Sequence, residues 1–171
     1  MNKQFLEQII AVYGGSIYSF CIYLTQNITE ADDLYQNTFI KAIELDNLNL
    51  SINPKSYLLG IASNLWKNEK RKRLLRIKKV PQISFEELEQ TYLANTTCSP
   101  QEMLENAETA REVKQAVYNM EDNHKEVILL YYMEELSIAE IAGVLNIPQS
   151  TVKSRLFKAR KQLKKQLEDL K

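Results

Sequence analysis

Residues 136–161 read LSIAEIAGVLNIPQSTVKSRLFKARK, and they contain the clearest helical signals in the second half of the chain. Ser137 and Glu140 stand at the spacing of a capping box, in which the serine caps a helix start and the glutamate reaches back to it. Apolar residues then recur at i, i+3, i+4 and i+7 from Ile138, as one helix face requires. Pro148 ends this helix and a second one follows. The stretch predicts a helix-turn-helix.

The second helix of this pair has two different faces. Its predicted core stripe includes Val152, Leu156 and Ala159, continued by Leu163. The opposite face is suited to a DNA major groove, because short hydroxyl residues allow close approach, lysines reach phosphates or guanine edges, and an exposed phenylalanine touches a thymine methyl. An ordinary solvated face is the alternative, but the capping box, turn and stripe agree with one another. The candidate DNA-contacting residues are Ser150, Thr151, Lys153, Ser154, Phe157, Lys158 and Lys161.

The composition of the whole chain favours helices throughout. The 171 residues are 44% hydrophobic and include only four glycines and four prolines, so we expect an all-α protein with a modest core. We find no continuous apolar run of membrane-spanning length and no signal peptide, which predicts a cytoplasmic protein. Cys21 and Cys98 are far apart and form no CxxC pair; Cys21, among apolar neighbours, is expected to be a buried small hydrophobe.

The net charge is zero, but the charges are segregated along the chain. Residues 65–80 contain eight basic residues and one acidic residue, whereas residues 81–126 contain ten acidic and three basic residues. Helical spacing fades in residues 80–101, where proline, serine, threonine and asparagine cluster. We therefore predict two small helical domains, residues 1–79 and residues 102–171, joined by a flexible acidic linker of residues 80–101.

The first half of the chain contains a helix with an acidic start. Thr29 is predicted to cap this helix, and Glu30, Asp32 and Asp33 suit the positive end of its dipole. Leu34, Gln36, Thr38 and Phe39 then mix apolar and amide groups, a composition typical of a protein-docking surface. A purely structural role for this acidic turn is equally compatible with the local sequence.

Asn53-Pro54 predicts the start of another helix. One of its faces is apolar, and the other combines a small residue, an amide and two cations ahead of the basic run that continues to Lys79. Such a path suits a single nucleic-acid strand, with Trp66 and Tyr57 as candidate stacking partners. For Trp66 a place in the core is an equal alternative. The polar face carries Gly60, Asn64, Lys67 and Arg71.

Four segments of the chain match the motifs of one protein family. Residues 30–42, EADDLYQNTFIKA, resemble the polymerase-docking helix of bacterial extracytoplasmic-function (ECF) RNA polymerase sigma factors, which belong to the sigma-70 family. Residues 57–65, YLLGIASNL, resemble their promoter-melting helix. Residues 136–142 and 151–161 resemble the two helices that read the minus-35 element. The match covers both predicted domains and leaves out only the linker.

The resemblance implies an alternative sigma factor that binds core RNA polymerase and directs promoter-specific transcription initiation. Its partners would be the polymerase β′ clamp coiled coil and β flap, promoter DNA, and an anti-sigma factor, which in this family is often membrane-bound. It implies no cofactor, no metal and no membrane insertion of the chain itself. The residues implied to bind the clamp coiled coil are Asp33, Leu34, Gln36, Thr38 and Phe39.

For the minus-10 element, the resemblance implies that the loop of residues 46–53, with Asn64 behind it, holds a flipped base. For the minus-35 element, it adds Arg155 to the contacts named above. The chain departs from the family pattern at Tyr57, where tryptophan is usual, at Asn37, where glutamate is usual, and across the loop of residues 47–52. The residues implied to contact the minus-10 element are Leu48, Asn64, Lys67, Asn68 and Arg71.

Two other classes of protein share parts of this pattern. A conventional helix-turn-helix transcriptional regulator, such as a response regulator, would carry an α/β receiver before the DNA-binding module, but residues 1–79 show no alternating strand pattern. An enzyme would use Glu30, Asp32 and Asp33 as a metal cluster. His124, the only histidine, has no nucleophile or metal-ligand partner near it in the sequence and is expected at the surface or in a cap, and no glycine-rich phosphate loop is present, which disfavours catalysis.

Overall fold

The computed structural model describes residues 3–45, 53–77 and 103–169. All regular structure in these residues is helical, so the expected all-α fold is confirmed. The predicted linker and Leu48 lie outside the described residues. The elements are α1 Lys3–Thr25, α2 Ile28–Leu45, α3 Pro54–Ile77, α4 Met103–Tyr118, α5 Asp122–Ile128, a π-helical segment Leu129–Met133, α6 Ile138–Leu145 and α7 Gln149–Asp169.

Helices α1, α2 and α3 pack against one another as an N-terminal bundle. The fully buried side chains of Ile17, Phe20 and Leu58 lie in its core, together with Cys21. Burial raises the pKa of the Cys21 thiol to about 12, so this cysteine stays protonated at neutral pH. The expectation that Cys21 is a buried small hydrophobe is confirmed.

The start of α2 differs from the prediction. The helix begins at Ile28, and Asn27 rather than Thr29 caps it, because the Asn27 side chain accepts a hydrogen bond of 3.1 Å from the backbone N–H of Glu30. Gln26, with a φ of 57°, makes the left-handed turn that leads into this cap. The prediction was wrong because two good capping residues lie close together, and the chain reversal at Gln26 decides between them.

Helix α1 contains a segment that could cross a membrane by length and composition alone, Glu7–Thr25, with a mean hydropathy of 1.3. No continuous apolar run of this length was expected from the sequence, because polar residues such as Gln8, Ser16 and Ser19 interrupt the segment. In the structure, Ile17 and Phe20 of this segment are completely buried, and α1 packs on α2 and α3. The buried share of the segment is 33%, and a single helix that meets the length and hydropathy criteria is weak evidence for a membrane span.

Helices α4 to α7 form a C-terminal unit around α7. The predicted capping box of α6 is confirmed: Ser137 Oγ accepts from the backbone N–H of Glu140 at 3.2 Å, and Glu140 Oε2 accepts from the backbone N–H of Ser137 at 2.9 Å. Asn146 ends α6 in the left-handed conformation, with a φ of 51°. The turn to α7 is therefore only a few residues long.

The two units pack directly against each other. Helix α6 lies on α3, and α1 touches α5, so that buried residues of both units belong to one continuous core. The closest backbone approach is at Gly60 of α3, where a Cβ atom would lie 3.4 Å from the carbonyl oxygen of Val144. A Cβ atom at residue 60 would therefore be in van der Waals contact with the backbone of α6, which leaves little space for a larger side chain.

Replacing Ser137 by alanine is expected to lower the free energy of unfolding by about 1 kcal/mol, because the backbone N–H of Glu140 loses its capping partner. Urea unfolding followed by circular dichroism at neutral pH measures the difference. The hydrogen bond from the Ser137 backbone lowers the pKa of Glu140. Its carboxylate therefore supports the cap at neutral pH, and that support is lost only as the pH falls through the lowered pKa.

Ser19→Ala is the matched control, since Ser19 is an exposed residue inside α1. It should change the free energy of unfolding by no more than about 0.5 kcal/mol. An equal loss in both variants would show that the capping box contributes nothing specific.

Candidate nucleic-acid interface

The outer face of α7 carries most of the residues predicted to contact DNA. Its inner stripe of Val152, Leu156 and Ala159 is buried against the C-terminal unit, as expected, while Thr151 and Arg155 lie at the edge and are partly buried. The helix is thus held rigidly by one side and presents the other to solvent. The exposed residues are Ser150, Lys153, Ser154, Phe157, Lys158 and Lys161.

Phe157 is the most unusual residue on this face. Its side chain is 70% exposed although it is large and apolar, so it contributes little to the core. It lies one residue before Lys158 and one helical turn before Lys161. An exposed aromatic group bordered by lysines combines an apolar contact for a thymine methyl with cations for phosphates.

Arg155 and Arg160 both interact with groups of the C-terminal unit. The positive charge of Arg155 acts against the burial that raises the pKa of Glu126. The guanidinium of Arg160 lies over the rings of Tyr131 and Tyr132, at 5.3 and 5.5 Å from their centroids. Cation–π contacts of this kind keep Arg160 in place beside the outer face of α7.

The polar face of α3 lies at the junction of the two units. Asn64, Asn68 and Arg71 are exposed, and Arg71 donates a hydrogen bond of 3.1 Å to the Asn68 side chain. The ammonium group of Lys67, in contrast, is only 2.8 Å from Glu126 Oε2 in α5. The predicted minus-10 residues that the structure describes share this face, but Lys67 already has an anionic partner within the chain.

Glu126 is completely buried, and its carboxylate also accepts a hydrogen bond from the Ser63 hydroxyl. Burial raises its pKa, while the charge and hydrogen bond of Lys67, the Ser63 hydroxyl and Arg155 act in the opposite direction. Neither Ser63 nor Glu126 was predicted from the sequence. Glu126 stands directly before the apolar run from Val127 to Leu130, and its ion-pair partner Lys67 is 59 residues away.

Trp66, for which the sequence left two roles open, is 8% exposed and belongs to the core. Lys70 lies above its ring, with the ammonium 5.3 Å from the centroid, and also pairs with Asp122 of α5. Arg73 forms an ion pair of 2.7 Å with Glu30 of α2. Two cations of the basic run are thus tied to neighbouring helices.

The predicted docking residues of α2 divide into two groups. Leu34, Thr38 and Phe39 are buried and support the helix from beneath, whereas Asp33 and Gln36 are exposed. The same exposed face continues at i+7 and i+10 from Asp33 with Ile40 and Ile43, which are 52% and 43% exposed. Ile40 and Ile43 were not predicted as docking residues, although their helical spacing from Asp33 places them on the same face.

No group of three acidic, histidine or cysteine residues that could hold a metal occurs in the parts of the chain that the structure describes. Two carboxylates of the acidic turn of α2 have partners within the fold: Asp32 accepts a hydrogen bond of 2.7 Å from Tyr18, and Glu30 pairs with Arg73. His124 Nδ1 lies 3.3 Å from Gln162 Oε1. Glu30, Asp32 and His124 thus each have a contact within the fold.

Comparison with known families gives two matches in the same order as the two units. Residues 9–75 match sigma-70 region 2, and residues 110–163 match sigma-70 region 4. Over 172 aligned residues, the chain is 31% identical to the ECF RNA polymerase sigma factor SigW of Bacillus subtilis, with 99% of this chain and 92% of SigW covered. The chain belongs to the extracytoplasmic-function sigma factors of the sigma-70 family. This sigma factor directs promoter-specific transcription initiation with core RNA polymerase.

Other relatives and solved structures agree with this assignment. The sigma factor is also 31% identical to SigM of Bacillus subtilis, with 93% of both chains covered. Its fold is similar to that of the sigma factor RpoE from Bartonella quintana in complex with the anti-sigma factor NepR, with a TM-score of 0.78, 23% identity and 98% of both chains covered. It is also similar to CnrH in complex with the cytosolic domain of CnrY, with a TM-score of 0.67 and 21% identity over 98% of this chain and 90% of CnrH.

The position of Trp66 leads to a spectroscopic prediction for this sigma factor. Trp66 is the only tryptophan in the chain, so intrinsic tryptophan fluorescence reports on this residue alone. Because its ring is buried beneath Lys70, we expect weak quenching by acrylamide in the folded protein and strong quenching in urea. Equally strong quenching in the folded and the unfolded protein would contradict the core position. Trp66 would then again be a candidate to stack on a nucleic-acid base.

Proposed function

We propose that the two helical units, residues 1–79 and residues 102–171, divide promoter recognition between them. The N-terminal unit would bind core polymerase and the minus-10 element, and the C-terminal unit would read the minus-35 element. The observation that carries this proposal is the outer face of α7, where an exposed aromatic residue and lysines lie on the second helix of a helix-turn-helix.

In the C-terminal unit, α7 would enter the major groove with its first turns. Ser150, Ser154 and Phe157 would approach the base edges, and Lys153, Lys158 and Lys161 would bind phosphates or guanine. Thr151 and Arg155, at the edge of the face, would contact the backbone beside the groove. Helix α6, fixed by its capping box, would cross the DNA backbone and hold α7 at a constant angle.

In the N-terminal unit, the polar face of α3 would grip one strand of the melted minus-10 element. Asn64, Asn68 and Arg71 are exposed along two turns of this helix, and Lys67 lies between them. Amide groups can read the edge of an unstacked base, while the cations neutralise the adjacent phosphates. Leu48 and the rest of the preceding loop would complete the base pocket.

Core polymerase would dock on the exposed face of α2. Asp33 and Gln36 would make the polar contacts with the β′ clamp coiled coil, and Ile40 and Ile43 would supply an apolar patch next to them. Leu34, Thr38 and Phe39 would act indirectly by holding α2 on the core. The C-terminal unit would dock separately, on the β flap.

Relatives with this fold were solved with anti-sigma factors, RpoE with NepR and CnrH with the cytosolic domain of CnrY. By analogy, an anti-sigma factor would regulate this chain as well, and a membrane-bound one would present a cytosolic domain to it. We further infer that the chain works in the cytoplasm, without a cofactor and without catalytic activity of its own, since the polymerase performs the chemistry.

Run-off transcription with bacterial core polymerase on a pool of genomic promoters tests the reading face. Transcripts should depend on the chain and share two spaced upstream elements. Lys158→Ala is expected to weaken promoter binding by the holoenzyme at all sequences and to reduce the slope of log affinity against log salt by about 1, because one phosphate contact is lost.

Lys164→Ala is the matched control, because Lys164 lies on the same helix and its side chain is 78% exposed, but it pairs with Glu168 beyond the reading face. It should transcribe like the wild type. If both variants behave alike, Lys158 is not a specific contact. If the chain binds promoters specifically without polymerase, a conventional regulator becomes the better interpretation.

Docking on α2 is tested by binding to core polymerase in the absence of DNA. Gln36→Ala and Ile40→Ala are expected to weaken this binding at least several-fold without lowering thermal stability, since both side chains are exposed. Glu44→Ala is the control, because Glu44 pairs with Lys41 on the same helix at 2.9 Å. Unchanged binding of both test variants would remove α2 as the docking helix.

A further inference from the structure

A cavity of about 780 Å³ lies between α2, α3 and the start of α5. Its volume falls within the range of about 300–1,000 Å³ that is typical of small-molecule sites. Leu34 of α2, with Leu65 and Trp66 of α3, forms an apolar part of its wall, and Asp122 and Lys125 contribute charged groups from α5. None of the proposed DNA contacts that the structure describes borders this space. The cavity is therefore separate from both proposed DNA-binding surfaces.

Lys125 is unusual among the charged residues of this wall. It is only 4% exposed, and within the parts of the chain that the structure describes its ammonium group has neither an ion-pair partner nor a hydrogen-bond partner. Burial lowers the pKa of Lys125, while the charge of Asp122 raises it and that of Lys70 lowers it further. A buried ammonium group without an anionic partner is unfavourable. This end of the cavity therefore lacks an anion.

The carboxylates of the cavity wall are mostly neutralised by other cations. Asp122 forms an ion pair with Lys70, and Glu30 forms one of 2.7 Å with Arg73. Asp33 is exposed, so solvent screens its charge. Two further pairs are Glu44 with Lys41 and Glu69 with Lys72. None of these carboxylates neutralises Lys125.

The surroundings of Lys125 indicate the chemistry of a ligand. One ammonium group balances the single negative charge of a carboxylate, whereas a phosphate group carries about −1.5 to −2 charges. The ion pair is strengthened in a partly enclosed site, because water competes less for either charge. The rest of the ligand meets Leu65 and Trp66 and has to be apolar. A small molecule with one carboxylate on an apolar body satisfies both requirements.

We propose that this cavity binds a small amphiphilic carboxylate, whose head group pairs with Lys125 and whose apolar body packs against Leu65 and Trp66. Leu34, which holds α2 on the core, belongs to the same wall, so the ligand contacts the helix that is proposed to bind core polymerase. The site itself does not depend on that proposed role. It gives the sigma factor a place where a small molecule binds beside its docking helix.

Titration of the full chain with octanoate tests this proposal, and octanol, which has the same apolar body with a neutral head, is the matched probe. Trp66 is the only tryptophan and lines the cavity, so its fluorescence reports occupancy, while isothermal titration calorimetry gives affinity and stoichiometry. Octanoate is expected to bind saturably and one to one, about tenfold more tightly than octanol, because only the carboxylate pairs with the ammonium group.

Lys125→Met removes the charge but keeps an apolar side chain of similar length at this buried position. This variant should weaken octanoate binding by about tenfold and leave octanol binding unchanged, because only the head-group contact is lost. Circular dichroism and thermal unfolding check that the variant is folded. Lys125→Arg keeps the positive charge and should retain the preference for octanoate.

Lys41→Met is the matched control, because Lys41 also lines the cavity but its side chain is 47% exposed and pairs with Glu44 at 2.9 Å. It should change octanoate affinity by no more than about twofold, since exposed charges contribute little. Leu65→Phe narrows the apolar part of the cavity and should weaken both probes. The comparison of the two probes and this variant decide the question even if Lys125→Met does not fold.

Several outcomes overturn the proposal. Binding that does not saturate shows nonspecific adsorption of the probe, and equal affinity for octanoate and octanol shows that no cation recognises the head group. Equal losses in Lys125→Met and Lys41→Met show a general charge effect. Binding of neither probe also overturns the proposal and leaves the groove to a protein partner. The transcription and polymerase-binding tests of the proposed function are unaffected by any of these results.

Discussion

The arrangement of this sigma factor depends on the buried carboxylate of Glu126. Glu126 belongs to α5, but Ser63 and Lys67 of α3 supply its hydrogen bond and counter-ion. Removing a carboxylate from water is costly unless both kinds of partner are present. The position of α5 relative to α3 is therefore constrained by polar geometry, whereas apolar packing alone tolerates small shifts.

The remaining contacts between the units follow from this constraint. With α5 fixed, the π-helical segment that continues it brings Glu134 to Lys55, and α6 then packs closely on α3, where a Cβ atom at Gly60 would lie 3.4 Å from the carbonyl oxygen of Val144. The result is one core rather than two. The outer face of α7 points away from this junction and stays exposed. The polar face of α3 is divided, with Lys67 paired across the junction and Asn64, Asn68 and Arg71 exposed.

The surfaces proposed to bind partners differ in how far they also take part in the contacts between the two units. On α7 and α2, apolar residues such as Phe157 and Ile40 are exposed and contribute little to the core. Exposed apolar side chains of this kind are typical of binding surfaces. On α3, by contrast, Lys67 has a structural partner in addition to its proposed DNA contact.

The sequence by itself determined the local features: the capping box at Ser137, the stripe of apolar residues on α7, the helix start at Pro54 and the family motifs. These depend on residues within a turn or two of each other, where spacing dictates geometry. Only the tertiary structure decided that Trp66 is a core residue, that Lys67 faces Glu126, and that the two units share a core. Those outcomes depend on side chains many residues apart in the sequence, and no periodicity encodes which distant carboxylate meets which cation.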